Sequence, residues 1–300
     1  MLKLLFLALF FQAPLVAVAA GDGPAAPVQQ KTRKSAVSAQ GEKEYADGRQ
    51  IVLSGEGTER IDLHGRSAVI TLKHFGGYAL ILNGGLVVFT GTAQSDKPAL
   101  ESGAQRAILR IKNAEEITGH DAVIDAGDGH GLDALIVGND DGRLPEVHLE
   151  RVTLIGGWNN WPYRDGEYHG DALQDYMGVK SFEILDSVIV ANNSGFMADP
   201  QHPVETITLR NVRFEYGKRS SGYTLYLKNT NAKSDYVPEI VLENVSVQER
   251  KACLHSSKCP AEMYSVHPPK QHPKGAVRRG DEICWPEIPQ IKGCVKVVGD

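Results

Sequence analysis

From Ile51 onward the chain alternates short aliphatic runs with Gly, Asn and Asp. The runs IVL, AVITL, ALIL, LVVF, AILRI, AVI and ALIV follow one another, and none is long enough or periodic enough at 3.6 residues to make a helix. The pattern predicts many short strands. Four segments align without gaps: VHLERVTL (147–154), EILDSVIV (183–190), ITLRNVRF (207–214) and IVLENVSV (240–247). The third column reads Leu149, Leu185, Leu209 and Leu242; the sixth reads Val152, Val188, Val212 and Val245. The eighth is Leu154, Val190, Phe214 and Val247, and only Glu183 is polar in the first. The valines lie 36, 24 and 33 residues apart, so the unit is fixed while the loops vary. A chain that stacks turn on turn, each burying its apolar face on its neighbours, has this signature.

Within a unit, positions one and three form a strand with one face inward. Two residues then break the alternation and turn the chain, and positions six and eight begin a second inward-facing strand. Asn211 and Asn244 fall at that corner, where asparagine is the non-glycine residue best suited to a left-handed backbone. A third strand follows in each turn: DALQDY (171–176), GFMAD (195–199), YTLYLKN (223–229) and ACLHS (252–256). Upstream, HGLDALIV (130–137) echoes HGDALQ (169–174). Over roughly residues 50–256 this geometry resembles the pectate-lyase-like superfamily. The resemblance implies an all-β fold, a right-handed parallel β-helix, which is a solenoid with three short strands per turn. An antiparallel β-sandwich also has many short strands, but the ungapped columns disfavour it. A leucine-rich repeat would need a fixed asparagine and denser leucines.

Composition narrows the partners. Hydrophobic residues at 42% and charged residues at 23% are ordinary for a globular protein and exclude disorder or a multi-span membrane protein. A net charge of −5 argues against nucleic acid, which calls for a basic stripe. Residues 1–20 combine Lys3, an apolar run and small residues to Ala20, and predict a signal peptide cut after Ala19 or Ala20. Residues 21–45 read as a flexible leader, 46–256 as the β-helix, and 257–300 as a C-terminal cap. The expectation is an exported monomer, periplasmic or extracellular, with no stable membrane insertion after signal cleavage. In an oxidising compartment Cys253, Cys259, Cys284 and Cys294 predict two disulfides, with all three pairings open.

The candidate chemistry lies in the insertions. The loop 156–170 carries Trp158, Trp161, Tyr163, Arg164 and Tyr168. Aromatic faces beside polar groups can hold a sugar ring, although the same residues could simply cover core. The loop leads into His169, Asp171, Gln174, Asp175 and Tyr176. Here Ala172 or Leu173 is expected to supply the core contact and the polar residues to line the outer wall. The next turn brings Asn192, Asn193, Asp199 and His202, and the one after it Lys218, Arg219, Tyr223, Tyr226 and Lys228. Turns about 4.8 Å apart would set these groups in one wall. Such residues suit β-elimination on a uronate polysaccharide, in which a base removes a proton beside a carboxylate while cations stabilise the developing charge. His169 and Lys228 are the candidate bases, and Arg164, Lys218 and Arg219 the candidate neutralisers. Tyr168 or Tyr176 would protonate the leaving oxygen, and Asp171, Asp175 or Asp199 could hold calcium in place of the cations.

Two further resemblances bear on the reaction. ADPQH (198–202) is similar to the Asp-Pro-His motif of alginate epimerases, with Gln201 interposed before His202. Arg110-Ile111-Lys112, Gly129-His130-Gly131 and Asp140-Asp141 resemble polygalacturonase motifs, in a different order along the chain. The expected function is a polysaccharide lyase acting on an acidic polysaccharide. The alternatives are a non-catalytic solenoid that binds an envelope glycan, and a glycoside hydrolase or uronate epimerase.

Overall fold

The computed structural model describes residues 44–45, 48–99, 106–158, 170–175, 178–198, 204–217, 225–228, 238–248, 266–267 and 277–299. Regular structure among these is entirely β. One sheet contains β1 (Glu44–Tyr45), β2 (Gly48–Gly55), β4 (Ser67–Phe75), β6 (Leu86–Gln94), β8 (Glu116–Asp125) and β10 (Glu146–Ile155). It continues with β12 (Ser181–Leu185), β13 (Val188–Ala191), β15 (Thr206–Arg210), β16 (Arg213–Tyr216) and β18 (Glu239–Gln248). It ends with β20 (Val277–Arg279), β21 (Glu282–Cys284) and β22 (Ile291–Val298). The second sheet is β3 (Thr58–Asp62), β5 (Tyr78–Leu82), β7 (Ala107–Lys112), β9 (Asp133–Gly138), β11 (Asp171–Asp175), β14 (Ser194–Ala198), β17 (Leu225–Lys228) and β19 (Val266–His267).

From β2 to β19 the chain visits the two sheets alternately, and strands that neighbour one another in a sheet are parallel. Mostly parallel strands in two sheets, fed in alternation, are compatible with a β-helix or solenoid. One hydrophobic cluster draws on both sheets, from Leu53 through Phe89, Leu135, Phe182 and Phe214 to Val297. Parallel pairing continues past residue 256, since β19 pairs in parallel with β17 and β22 with β18. Residues 1–43, which include the expected signal peptide and most of the leader, lie outside the described residues.

The strands of the first sheet bend at one residue. Strand register puts Asp121, Arg151, Asp186, Asn211 and Asn244 at equivalent positions, and all five have φ between 49° and 55°. The left-handed backbone expected of Asn211 and Asn244 is therefore present, and three further residues share it. Their side chains pair along the stack. Arg151 donates two hydrogen bonds to the Asp121 carboxylate, at 2.7 and 3.1 Å. Asn211 donates to Asp186 at 2.7 Å, and Asn244 to Asn211 at 2.9 Å. Each lateral bond offsets part of the ~1–2 kcal/mol that a left-handed L-residue costs.

The same register corrects one of the sequence repeats. Val147 pairs with Phe182 and Leu149 with Ile184, one residue earlier than the ungapped alignment had it. Phe182, Ile184 and Ile189 are the buried side chains, whereas Leu185, Val188 and Val190 are only partly buried. Ser187 takes the place that valine holds in the other three aligned segments, at Val152, Val212 and Val245. Its hydroxyl accepts from the Val152 backbone N–H at 3.1 Å and donates to the Leu185 carbonyl at 2.5 Å. Matching valines had hidden this serine and displaced the repeat by one, which reverses inside and outside.

At the C-terminal end, β21 and β20 run antiparallel beyond β22, and Cys284 is bonded to Cys294. The expected disulfide-containing end is present in this pair. Cys253 and Cys259 lie outside the described residues.

Candidate functional site

The connections between the sheets are unequal. The three longest, 95–106, 156–170 and 249–265, all run from the first sheet to the second. The short connections on that edge are tightly packed. The Asn192 side-chain amide donates to the carbonyls of Gly156 at 3.0 Å and Gly127 at 3.4 Å, which belong to two preceding turns. A Cβ on Gly217 would stand 2.0 Å from Asn192 Oδ1, so only glycine fits beside it. Asp125 accepts from the Gly127 backbone N–H at 2.8 Å.

Trp158 stands on this edge, where the chain enters the longest loop that the sequence singled out. It bridges to His130 of the preceding turn, with the two rings edge to face at 4.8 Å. Its indole N–H donates to the Asp128 carbonyl at 3.1 Å, which fixes the ring plane. A groove of about 610 Å³ is lined in part by Glu56, His74, Thr92, Asp96, Asp125 and the same Asp128.

The next strand, β11, differs from expectation. Asp171, Ala172, Leu173, Gln174 and Asp175 are all buried, so its polar residues do not form a solvated outer wall. Register supplies the reason. Leu173 lies in the inward column of Ala79, Leu109, Leu135 and Phe196. Asp175, two residues on, shares that face and falls in line with Ile81, Ile111 and Val137. Gln174 points the other way, in line with Leu80, Arg110, Ile136 and Met197. Leu80 and Ile136 are buried there too, so this part of the sheet is covered on both faces. Among the described residues Gln174 Oε1 has no hydrogen-bond partner.

Asp133 is the site residue that the sequence reading missed. It is fully buried, and its Oδ1 accepts from the Asp171 backbone N–H at 2.6 Å. The signal was the DAL shared by 133–135 and 171–173, because β9 and β11 pair with those residues in register. Ser194, which opens the next strand, and Asn193 just before it are buried; Ser194 is the register partner of Asp171 and receives a 3.2 Å hydrogen bond from the Asn193 amide.

Strands β11, β14 and β17 are consecutive neighbours, with Gln174 paired to Met197 and Met197 to Tyr226. The strands nearest the three groups assigned to one wall are thus neighbours in the second sheet. Lys228 lies in β17 opposite His267. His169, Tyr176, Arg219, Trp161, Tyr163, Arg164, Tyr168, Lys218 and Asp199 lie outside the described residues. Asp171 and Asp175 are four residues apart on one strand, about 13 Å at the usual rise, so a single ion would draw on one end of β11 and not both. Among the described residues no helix is long and apolar enough to cross a membrane. No family model, curated protein or solved structure matches the chain.

Proposed function

We propose that the chain is an exported right-handed parallel β-helix protein of the pectate-lyase-like kind, and that it cleaves a uronate-containing polysaccharide by β-elimination. Counting each bent strand of the first sheet as two gives three strands per turn. The observation that carries the reading is the adjacency of β11, β14 and β17 beside the long-loop edge marked by Trp158. Trp158, with Trp161, Tyr163 and Tyr168 of its loop, supplies aromatic faces for sugar rings. Gln174 of β11 and Asn193, the residue before β14, are the remaining candidate sugar contacts of this reading.

In the reaction, His169 or Lys228 takes the proton beside the uronate carboxylate. The freed electron pair forms the carbon–carbon double bond as the glycosidic bond breaks. Tyr176 gives its proton to the departing oxygen. Arg164, Lys218 and Arg219 neutralise the carboxylate, where charge builds up in the transition state. Calcium is the one cofactor this reading names, with Asp171, Asp175 or Asp199 as candidate ligands.

The test is to incubate the mature protein with a panel of polyuronates, with and without calcium, and follow the ultraviolet absorbance of unsaturated chain ends. Absorbance should rise with at least one polymer and be lost in His169→Ala. Folded protein with no signal across the panel overturns the lyase reading. One observation favours a second reading, a glycan-binding protein without chemistry: the carboxylates of Asp171 and Asp175 are buried away from solvent. Equilibrium binding with the polymer recovered intact would establish it. Saturated reducing ends would mark a hydrolase, and altered sugar composition at unchanged length an epimerase.

A further inference from the structure

The C-terminal hairpin gathers a donor set that the glycan reading does not use. Cys284 on β21 and Cys294 on β22 are direct cross-strand partners. Glu282 is two residues before Cys284 and therefore shares its face of the strand. One oxygen of the Glu282 carboxylate and the two sulfurs all lie within 4.8 Å of one another. Among the described residues no other group of three or more His, Cys, Asp and Glu side chains converges this closely. The cysteines are partly buried and Glu282 is exposed, so the cluster opens to solvent on one side. The other groups on this face are Lys296, opposite Glu282, and Val277 and Arg279 of β20. Lys296 is turned toward Asp281, with 3.8 Å between ammonium and carboxylate.

We propose that this hairpin is a redox-gated binding site for a thiolate-seeking divalent metal ion of the zinc class. In the disulfide form each sulfur is bonded to the other and neither can act as a thiolate ligand. A dithiol reductant attacks one sulfur and breaks the S–S bond. Its second thiol then displaces the mixed disulfide, so the reductant leaves as a cyclic disulfide and two cysteine thiols remain. Binding of the metal releases the two thiol protons and forms two metal–sulfur bonds, with Glu282 as the third ligand. Three protein ligands leave a fourth tetrahedral position for water, an arrangement zinc accepts readily. Either the disulfide or the ion would then tie β21 to β22, the strand that joins the hairpin to β18.

The test uses the full chain carrying Cys253→Ser and Cys259→Ser, so that only this thiol pair remains. After reduction by a phosphine without oxygen, cobalt(II) is titrated as the probe and then displaced by zinc. One equivalent should give thiolate-to-cobalt charge-transfer absorbance in the reduced protein and none in the oxidised protein. Glu282→Gln should weaken cobalt affinity by about tenfold or more, as loss of a metal-supporting carboxylate commonly does. Zinc should also slow alkylation of Cys284 and Cys294, read by mass spectrometry on the wild-type chain, which keeps the test independent of any variant's folding. The proposal is overturned by absent charge-transfer absorbance in reduced protein that keeps its circular dichroism. Equal affinity in Glu282→Gln, or thiols that zinc leaves unprotected, overturns it as well. Glycan cleavage enters none of these readouts.

Discussion

Two parts of the molecule place polar side chains in opposite ways. At the bend of the first sheet, Asp121, Arg151, Asp186, Asn211 and Asn244 recur turn after turn, and the neighbours Asp121–Arg151, Asp186–Asn211 and Asn211–Asn244 are joined by hydrogen bonds at the surface. At the start of the second sheet, Asp133, Asp171, Asn192, Asn193 and Ser194 are buried, and only the aspartate recurs, in two turns. A recurring polar position on the outside answers a need of the backbone, the left-handed corner. Polar groups placed once inside require a dedicated partner for each, and they mark where this chain departs from pure stacking.

The sharpest way to break this contrast is Asn192→Ala. It removes the donor to two carbonyls of neighbouring turns and should cost about 1–3 kcal/mol in denaturant unfolding. A smaller effect is expected at the bend. Asn211→Ala should cost about 1–2 kcal/mol, because alanine tolerates φ of 55° poorly, and Asn211→Gly should cost less. If Asn211→Gly proved as damaging as Asn211→Ala, the side-chain ladder and not the backbone would be what this residue supplies. The smallest effect concerns acid. Hydrogen bonds from Arg151 and then His120 hold the Asp121 carboxyl at about 2, below its usual range. Its contribution is present above the unfolded carboxylate value near ~3.9 and fades as pH falls toward about 2. Thermal melts between those limits should therefore show a shallower acid loss in Asp121→Asn than in the wild type.

Much of the strand pattern was legible because strands advertise themselves by alternation. The columns at Leu149, Val152, Leu209, Val212, Leu242 and Val245 sit in register as read. The echo noted between 130–137 and 169–174 contains the DAL that pairs in register between β9 and β11. Ser187 was the obstacle in the one slipped repeat, since a small polar residue in an apolar column looks like a boundary until its hydroxyl is seen to serve the backbone. The site was harder. Alternation tells which residues share a face, yet not whether that face meets water, and β11 has both faces covered. Asp175 therefore looked like a surface acid, while its neighbours across the sheet are Val137 and Ala198.

The first sheet reverses direction at both of its margins, with β1 antiparallel to β2 and β21 antiparallel to β22. The margins of this sheet thus end in antiparallel pairs, and its outermost C-terminal strand carries Arg278 and Arg279, whose charges disfavour pairing with another strand. Between these margins the number of parallel strand pairs is set by neither end. A spliced copy of residues 146–180, which carry β10 and β11, should lengthen the protein without teaching it to polymerise.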